Sequence, residues 1–240
     1  MPDWFSTTRY PTVVFVQGSG WRRQELGQRL VPLSQFARRG YVIAIVEHRP
    51  SAVAPFPAQL DDARAAVHVL REKAEHYRVD PSRIALWGDS SGGHLVALAA
   101  VTDGADDSPG AYADTPLDVR AVVDVYGPSD LARMPEDDAC TELLGGVDPV
   151  QHPEHAAPAA PVTYIRSAAE RSLPPFLLLH GSDDVVVPFE QSVTLGDALA
   201  EAGHDVELYR LEGAGHGAGA FFRDPVLDLI DRFLTTHLDA

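Results

Sequence analysis

Six short apolar runs recur along the chain, and few of them alternate with polar residues. They are TVVFV at 12–16, YVIAIV at 41–46, RIALW at 83–87, AVVDVY at 121–126, FLLLH at 176–180 and VELYR at 206–210. A strand that is apolar at successive positions buries both faces, as strands do in a parallel sheet covered by helices on each side. Between the runs the period becomes helical. Leu60, Ala63, Val67, Leu70, Ala74 and Tyr77 share one face, and so do Leu26, Leu30, Leu33 and Ala37. Val226, Leu229, Ile230, Phe233 and Leu234 form a last stripe, with Asp224 in position to cap it and Pro225 suited to its first turn. Pro188 opens one more helix, and Gly203 closes it where a left-handed cap is expected. The alternation predicts an α/β fold with a mostly parallel central sheet of about six strands, flanked by helices.

Two stretches break the rhythm. Residues 103–117 are polar throughout most of their length. Residues 127–174 form a long Pro-, Ala- and acid-rich segment between two strands, which predicts a small lid-like insertion. Its apolar residues Leu131, Met134, Leu143 and Leu144 are expected to pack onto the body or line a pocket. No repeat and no linker divides the chain, so a single domain over 1–240 is expected.

Composition narrows the partners. A net charge of −16 over 240 residues argues against a nucleic-acid backbone, which needs a basic patch. The single cysteine excludes an internal disulfide. Cys140 lies in DDACTELLGG, where neighbouring carboxylates make thiolate scarce, so it is not read as a nucleophile. The N-terminus has no basic start followed by an apolar run, and no apolar stretch reaches the roughly 18–20 residues a membrane span needs. A cytoplasmic protein with no membrane partner is the expectation. Among ten histidines, His68 and His94 fall on helices, where packing or exposure is expected. His152 and His155 in HPEH have the look of ligands, but no cysteine or carboxylate partner stands at a recognisable spacing, so no metal is expected.

WGDSSGG at 87–93 carries the candidate chemistry. RIALW precedes it as a strand and SGGHLVALAAV follows it as a helix, so GDSSG is a tight strand-to-helix turn. The spacing G-x-S-x-G fits in one frame, Gly88–Ser90–Gly92, because Asp89 blocks a frame centred on Ser91. A nucleophile on so sharp a turn has strained dihedrals, and side chains at the flanking positions would collide with strand and helix. The helix also points its first amides at developing negative charge. A serine nucleophile needs a base, and the base an orienting carboxylate. GSDDVVVP follows the fifth run and offers the acid. EGAGHGAG follows the sixth and offers His216 on a glycine-rich loop.

With these stretches the chain resembles the α/β-hydrolase superfamily, and within it the esterase branch related to hormone-sensitive lipase and to bacterial feruloyl and acetylxylan esterases. VVFVQGSGWR, RRGYVIAIVEHRPS, APFPAQLDDARAAVHVLR, DPSRIALWGDSSGGHL, ELLGG, APVTYI, LLLHGSDDVVVPFEQS and LEGAGHG carry the likeness from residue 11 onward. The resemblance implies Ser90 as nucleophile, Asp184 rather than Asp183 as the acid in HGxxDxxVP, and His216 as base. It implies no cofactor and a small-molecule ester substrate with a short acyl or aromatic acid part. An arylformamidase or other amidase would use the same three residues. A catalytically silent binding protein would have lost one of them, and all three are present.

The sequence also departs from the family. Relatives carry His-Gly-Gly-Gly-Trp in the oxyanion loop, where this chain has Gln17-Gly18-Ser19-Gly20-Trp21. The backbone amides of Gly18, Ser19 and Ser91 are the expected donors, with Ser19 at negative φ and its hydroxyl either adding a donor or narrowing the acyl pocket. Trp21, Leu143 and Leu144 are the expected pocket residues. His48 and Arg49 replace a usual Tyr-Arg pair and are read as support behind the site. Few residues precede the first strand, so the usual N-terminal hairpin is expected to be missing. The bare sheet edge is then left for the N-terminal tail or a partner chain, as in a homodimer, to cover.

Overall fold

Each of the six apolar runs is a strand. The computed structural model describes residues 7–135 and 137–239. In chain order the elements are β1 (Tyr10–Val16), α1 (Leu30–Arg38), β2 (Val42–Val46), α2 (Ala58–Glu72), α3 (Ala74–Tyr77), β3 (Val79–Asp89) and α4 (Ser91–Val101). Then come β4 (Ala121–Val125), α5 (Asp138–Leu143), α6 (Pro153–Ala156), β5 (Phe176–Gly181), α7 (Glu190–Glu201), β6 (Val206–Leu211) and α8 (Val226–Leu238). The strands form one sheet in the order β2-β1-β3-β4-β5-β6, and every neighbouring pair is parallel.

Side chains alternate between two cores, one on each face. Val13 and Phe15 of β1 pack with Leu33 and Phe36 of α1 and with Leu227, Ile230 and Leu234 of α8. Val14 and Val16 face the other way, toward Leu60 and Val67 of α2, Leu95 and Leu98 of α4, and Leu195 and Leu199 of α7. The central strands β3, β4 and β5 are therefore apolar on both sides, as their sequences require. The outer strands β2 and β6 are less buried, with Leu208 and Tyr209 of β6 exposed. Among the described residues, β2 pairs with β1 alone, so its outer edge is open. The expected cover by the N-terminal tail falls on residues outside those described. No helix among the described residues is long and apolar enough to cross a membrane.

Element ends differ from the sequence pattern in two places. Leu26 precedes α1 in a succession of turns, so that helix starts one turn late, at Leu30. Asp224 does not cap α8. Pro225 occupies the cap position, and the Asp224 carboxylate lies 3.7 Å from Arg39, which also holds Asp228 at 2.7 Å and Asp231 at 3.0 Å. The cation at the end of α1 draws the acidic face of α8 together.

The segment 127–174 is packed down onto the body. Leu131, Met134, Cys140, Leu143 and Tyr164 belong to the same core as α2, α4 and α7. Leu143, expected in a pocket, is fully buried, and its carbonyl accepts the Phe56 amide at 2.8 Å. Leu144 is half-buried against that core. Burial, with Asp137 beside it, pushes the Cys140 thiol up to about 12, in keeping with an unreactive sulfur. Leu143→Ala should therefore cost about 2–5 kcal/mol of stability, the range for a buried leucine. Its ester chain-length profile should stay as in the wild type. Denaturant unfolding beside a chain-length panel checks both, and a changed profile at unchanged stability would return Leu143 to the pocket.

Asp124 of β4 is buried beside the start of α4, with Oδ1 accepting the Gly127 amide at 2.9 Å. Burial raises its carboxyl to about 7, against the lowering pull of that amide and of His180. A carboxyl with a raised folded-state pKa binds more protons folded than unfolded between about pH 4 and 7. Its contribution is thus most favourable below the unfolded value and is lost as pH rises through 7. Asp124→Asn, a neutral isostere, should raise the melting temperature at pH 8 relative to wild type and change it little at pH 4. Melts at both pH values test this, and an equal difference at both would refute it.

Candidate active site

The turn GDSSG lies at the carboxyl end of the sheet's central strand β3. β3 ends at Asp89 and α4 begins at Ser91, so one residue makes the whole reversal. Ser90 takes φ +54° and ψ −125°, outside the regions a residue with a side chain normally occupies. Ser90 N–H donates to Val125 of β4 at 2.8 Å, and Ser90 C=O accepts from His94 at 3.0 Å. These two bonds hold the strained residue in place. A Cβ on Gly92 would run into the carbonyl of Val16, and one on Gly88 into the carbonyl of Gly92. Strand and helix come this close because both positions are glycine.

The loops after β5 and β6 bring the other two candidates to Ser90. His216 Nε2 is 2.9 Å from Ser90 Oγ, and His216 Nδ1 is 2.7 Å from Asp184 Oδ2. A carboxylate accepts only, so Nδ1 carries the proton and Nε2 is left to accept from the serine hydroxyl. Asp184 Oδ1 accepts the amides of Val186 and Val187, each at 2.9 Å. Burial alone would raise the Asp184 carboxyl. Hydrogen bonds from His180, His216 and the Val187 amide outweigh it and hold the group well below the ordinary carboxylate range. Asp183, the neighbouring acid, is exposed and accepts from Ser182 Oγ at 2.7 Å. The His216 ring is seated beside Tyr126, centroid to centroid 4.7 Å, and Tyr126 in turn meets Phe221 edge-on at 4.8 Å.

The oxyanion loop differs from expectation. Gly18 N–H donates to Asp89 Oδ1 at 2.8 Å, and Ser19 N–H donates to Ser91 Oγ at 2.9 Å. Two of the three amides expected to serve the oxyanion are thus engaged by side chains of the turn. Ser19 avoids the left-handed region, as expected, whereas Gly20 at φ +61° and Trp21 at φ +56° occupy it. The Ser19 hydroxyl donates to the Arg22 carbonyl at 2.7 Å and closes its own turn. Trp21, expected at the pocket, is buried. Its indole N–H donates to His94 Nδ1 at 3.1 Å, and His94 Nε2–H donates to the Ala159 carbonyl at 2.6 Å. That chain keeps His94 neutral, its pKa lowered by burial to about 4, and ties α4 to the inserted segment. Among the described residues, no acceptor engages the amides of Gly20 and Ser91.

Three residues of the site escape sequence reasoning. Asp89 is the blocking residue of the G-x-S-x-G frame and proves to be a buried hub. His180 of β5 is fully buried, with Nε2–H donating to Val187 C=O at 2.8 Å and lying 3.4 Å from Asp184 Oδ2. Its Nδ1 accepts from Ser192 Oγ at 2.7 Å. The HG before SDD was its signal. Tyr126 left no trace in the pattern, since it ends an apolar run like any core residue. His48 is buried, with its pKa lowered by burial, and Arg49 pairs with Asp62 at 2.9 Å. The HPEH stretch does hold a carboxylate partner: Glu154 joins His152 and His155 with ligand atoms within 4.8 Å of one another, all three exposed.

A parallel sheet with a strained serine at the carboxyl end of its central strand, and His and Asp on the loops after β6 and β5, defines the α/β-hydrolase fold. Residues 2–199 match the BD-FAE family, and the chain belongs to it. It is 33% identical over 223 residues to esterase LipC of Mycobacterium tuberculosis, covering 86% of this chain and 53% of that protein. The chain thus spans about half the length of the curated relatives it matches. A truncated carbohydrate esterase from gut microbiota superposes with a TM-score of 0.83 at 31% identity, covering 98% of this chain and 88% of that one. The propionate-bound esterase Est2 of Thermogutta terrifontis gives 0.79 at 28% identity, covering 98% and 86%.

Proposed function

We propose that this chain is a serine carboxylesterase that hydrolyses short-acyl or aromatic-acid esters through an acyl-enzyme on Ser90. The observation that carries this reading is the unbroken hydrogen-bonded series Ser90 Oγ, His216, Asp184, with contacts of 2.9 and 2.7 Å. In this mechanism His216 Nε2 takes the hydroxyl proton as Ser90 Oγ bonds to the ester carbonyl carbon. Asp184 stabilises the imidazolium that forms. His216 returns the proton to the departing alkoxide. A water molecule, deprotonated by the same Nε2, then attacks the acyl carbon, and Ser90 leaves with its proton restored. The oxyanion is received by the amide of Ser91, one of the three donors read from the sequence, and by that of Gly20, which takes the place of Gly18 and Ser19. The Ser91 amide lies in the first turn of α4, where the helix favours negative charge. The names of the relatives support an ester substrate, and the propionate held by one solved relative supports a short acyl group.

The test is a rate panel of p-nitrophenyl esters from acetate to decanoate, with methyl ferulate, acetylated xylan and N-formylkynurenine. The expected result is the highest kcat/KM on a short-acyl or feruloyl ester. A clear preference for N-formylkynurenine would replace this reading with an amidase on the same triad.

A further inference from the structure

The two residues that flank the nucleophile reach across to the facing loop. Asp89 and Ser91 are both buried, at 3% and 1% exposure. Asp89 Oδ1 accepts the Gly18 amide at 2.8 Å, and Ser91 Oγ accepts the next amide, Ser19, at 2.9 Å. The other Asp89 oxygen accepts Arg29 Nη2 at 3.0 Å, Arg29 Nε at 3.3 Å and the Tyr126 hydroxyl at 3.2 Å. Arg29 itself rests 3.9 Å above the Phe222 ring. An independent feature brings the loop to the same place: a Cβ on Gly18 would strike the backbone carbonyl of Asp89 and the Cβ of Ser90. The loop is thus seated directly on the turn, with a side chain gripping it on each side of Ser90.

We propose that Asp89 and Ser91 are positioning residues that hold the oxyanion loop in register with Ser90, and that Asp89 also fixes Tyr126 beside the His216 ring. The proposal rests on the reading of Ser90 as nucleophile. A counter-ion role for Asp89 toward Arg29 explains one of its oxygens. It leaves the second oxygen, given to the Gly18 amide, without a reason. Charge-assisted bonds to backbone amides are among the stronger hydrogen bonds available, which suits a loop whose donors must not move while charge develops. Ser91 carries out the same task with a neutral acceptor, so its share is smaller.

The experiment compares wild type, Asp89→Asn, Ser91→Ala and Tyr126→Phe for kcat and KM on p-nitrophenyl acetate, for melting temperature, and for inhibition by a trifluoromethyl ketone. That inhibitor forms a hemiketal oxyanion and therefore reads the loop, where a purely structural role would not register. Asp89→Asn should lower kcat about tenfold to a hundredfold, the cost of small misplacements at a reacting centre, with KM within about threefold. Its trifluoromethyl ketone affinity should fall in proportion. Ser91→Ala should show the same pattern at roughly threefold to tenfold, and Tyr126→Phe should lower kcat with less change in inhibitor affinity. Should Asp89→Asn fail to fold, Ser91→Ala carries the test, since its backbone and packing survive. Variants that keep kcat and inhibitor affinity near wild type overturn the proposal. So do losses that track melting temperature alone. Labelling of wild type by a fluorophosphonate separates the two readings. A label on Ser90 with unaffected variants sinks the positioning role alone, whereas no label on Ser90 removes the nucleophile on which it rests.

Discussion

Ser90→Ala is expected to lower kcat by a factor on the order of 10⁴ or more, while Ser91→Ala stays within about tenfold of wild type. The two serines are adjacent in sequence and differ in everything that matters to the chemistry. Ser90 alone has the strained backbone, φ +54°, that turns its side chain toward His216 Nε2 at 2.9 Å. Ser91 lies in the first turn of α4 with its hydroxyl engaged by the Ser19 amide. Replacing Ser90 removes the group proposed to bond to the acyl carbon, and among the described residues no other hydroxyl is hydrogen-bonded to His216 Nε2. Replacing Ser91 keeps its backbone amide, the donor assigned to the oxyanion, and loses one tether. Steady-state rates with mass mapping of a fluorophosphonate adduct check both statements. A phosphonyl group on Ser91, or comparable losses in the two variants, would reverse the assignment.

The sheet was legible because its central strands are buried on both faces, and a run such as RIALW is too short for a buried helix and is followed at once by the glycine of a turn. The turn at 88–92 was legible for a related reason: strand and helix approach so closely that only glycine fits, and such a constraint leaves a spaced mark in sequence. His216 stood out by its glycine-rich loop. The choice of Asp184 over Asp183 came from family resemblance, because adjacent acids in a loop look alike until two backbone amides are seen to grip one of them. The oxyanion loop could not be read the same way. An amide has no letter of its own, so nothing in QGSGW tells that Gly18 is spent on Asp89 and Ser19 on Ser91. Leu143 illustrates the same limit for packing. An apolar residue in a Pro-broken segment suits a core and a pocket equally, and the choice depends on how the segment folds back.

Asp184→Asn is expected to lower kcat by a factor on the order of 10⁴, whereas Asp183→Asn leaves kcat near wild type. The cause is a tautomer. Asp184 Oδ2 accepts the proton of His216 Nδ1 at 2.7 Å and so keeps Nε2 free for the serine. An asparagine amide placed there donates to Nδ1, moves the ring proton to Nε2, and leaves the base unable to accept from Ser90. Asp183 is exposed, and its carboxylate bonds to Ser182, so its exchange should change stability by roughly 0.5 kcal/mol or less. Asp184→Asn should also show a pH signature. His180, His216 and the Val187 amide hold Asp184 below the ordinary carboxylate range despite its burial. A carboxylate with a depressed folded-state pKa contributes stability that is present above its unfolded value, about 4, and is lost as pH falls toward the folded one. Asp184→Asn should therefore be less stable than wild type at pH 7 and converge with it at low pH. Rates at neutral pH with melts from pH 3 to 7 check both, and an inactive Asp183→Asn beside an active Asp184→Asn would move the acid to the neighbouring residue.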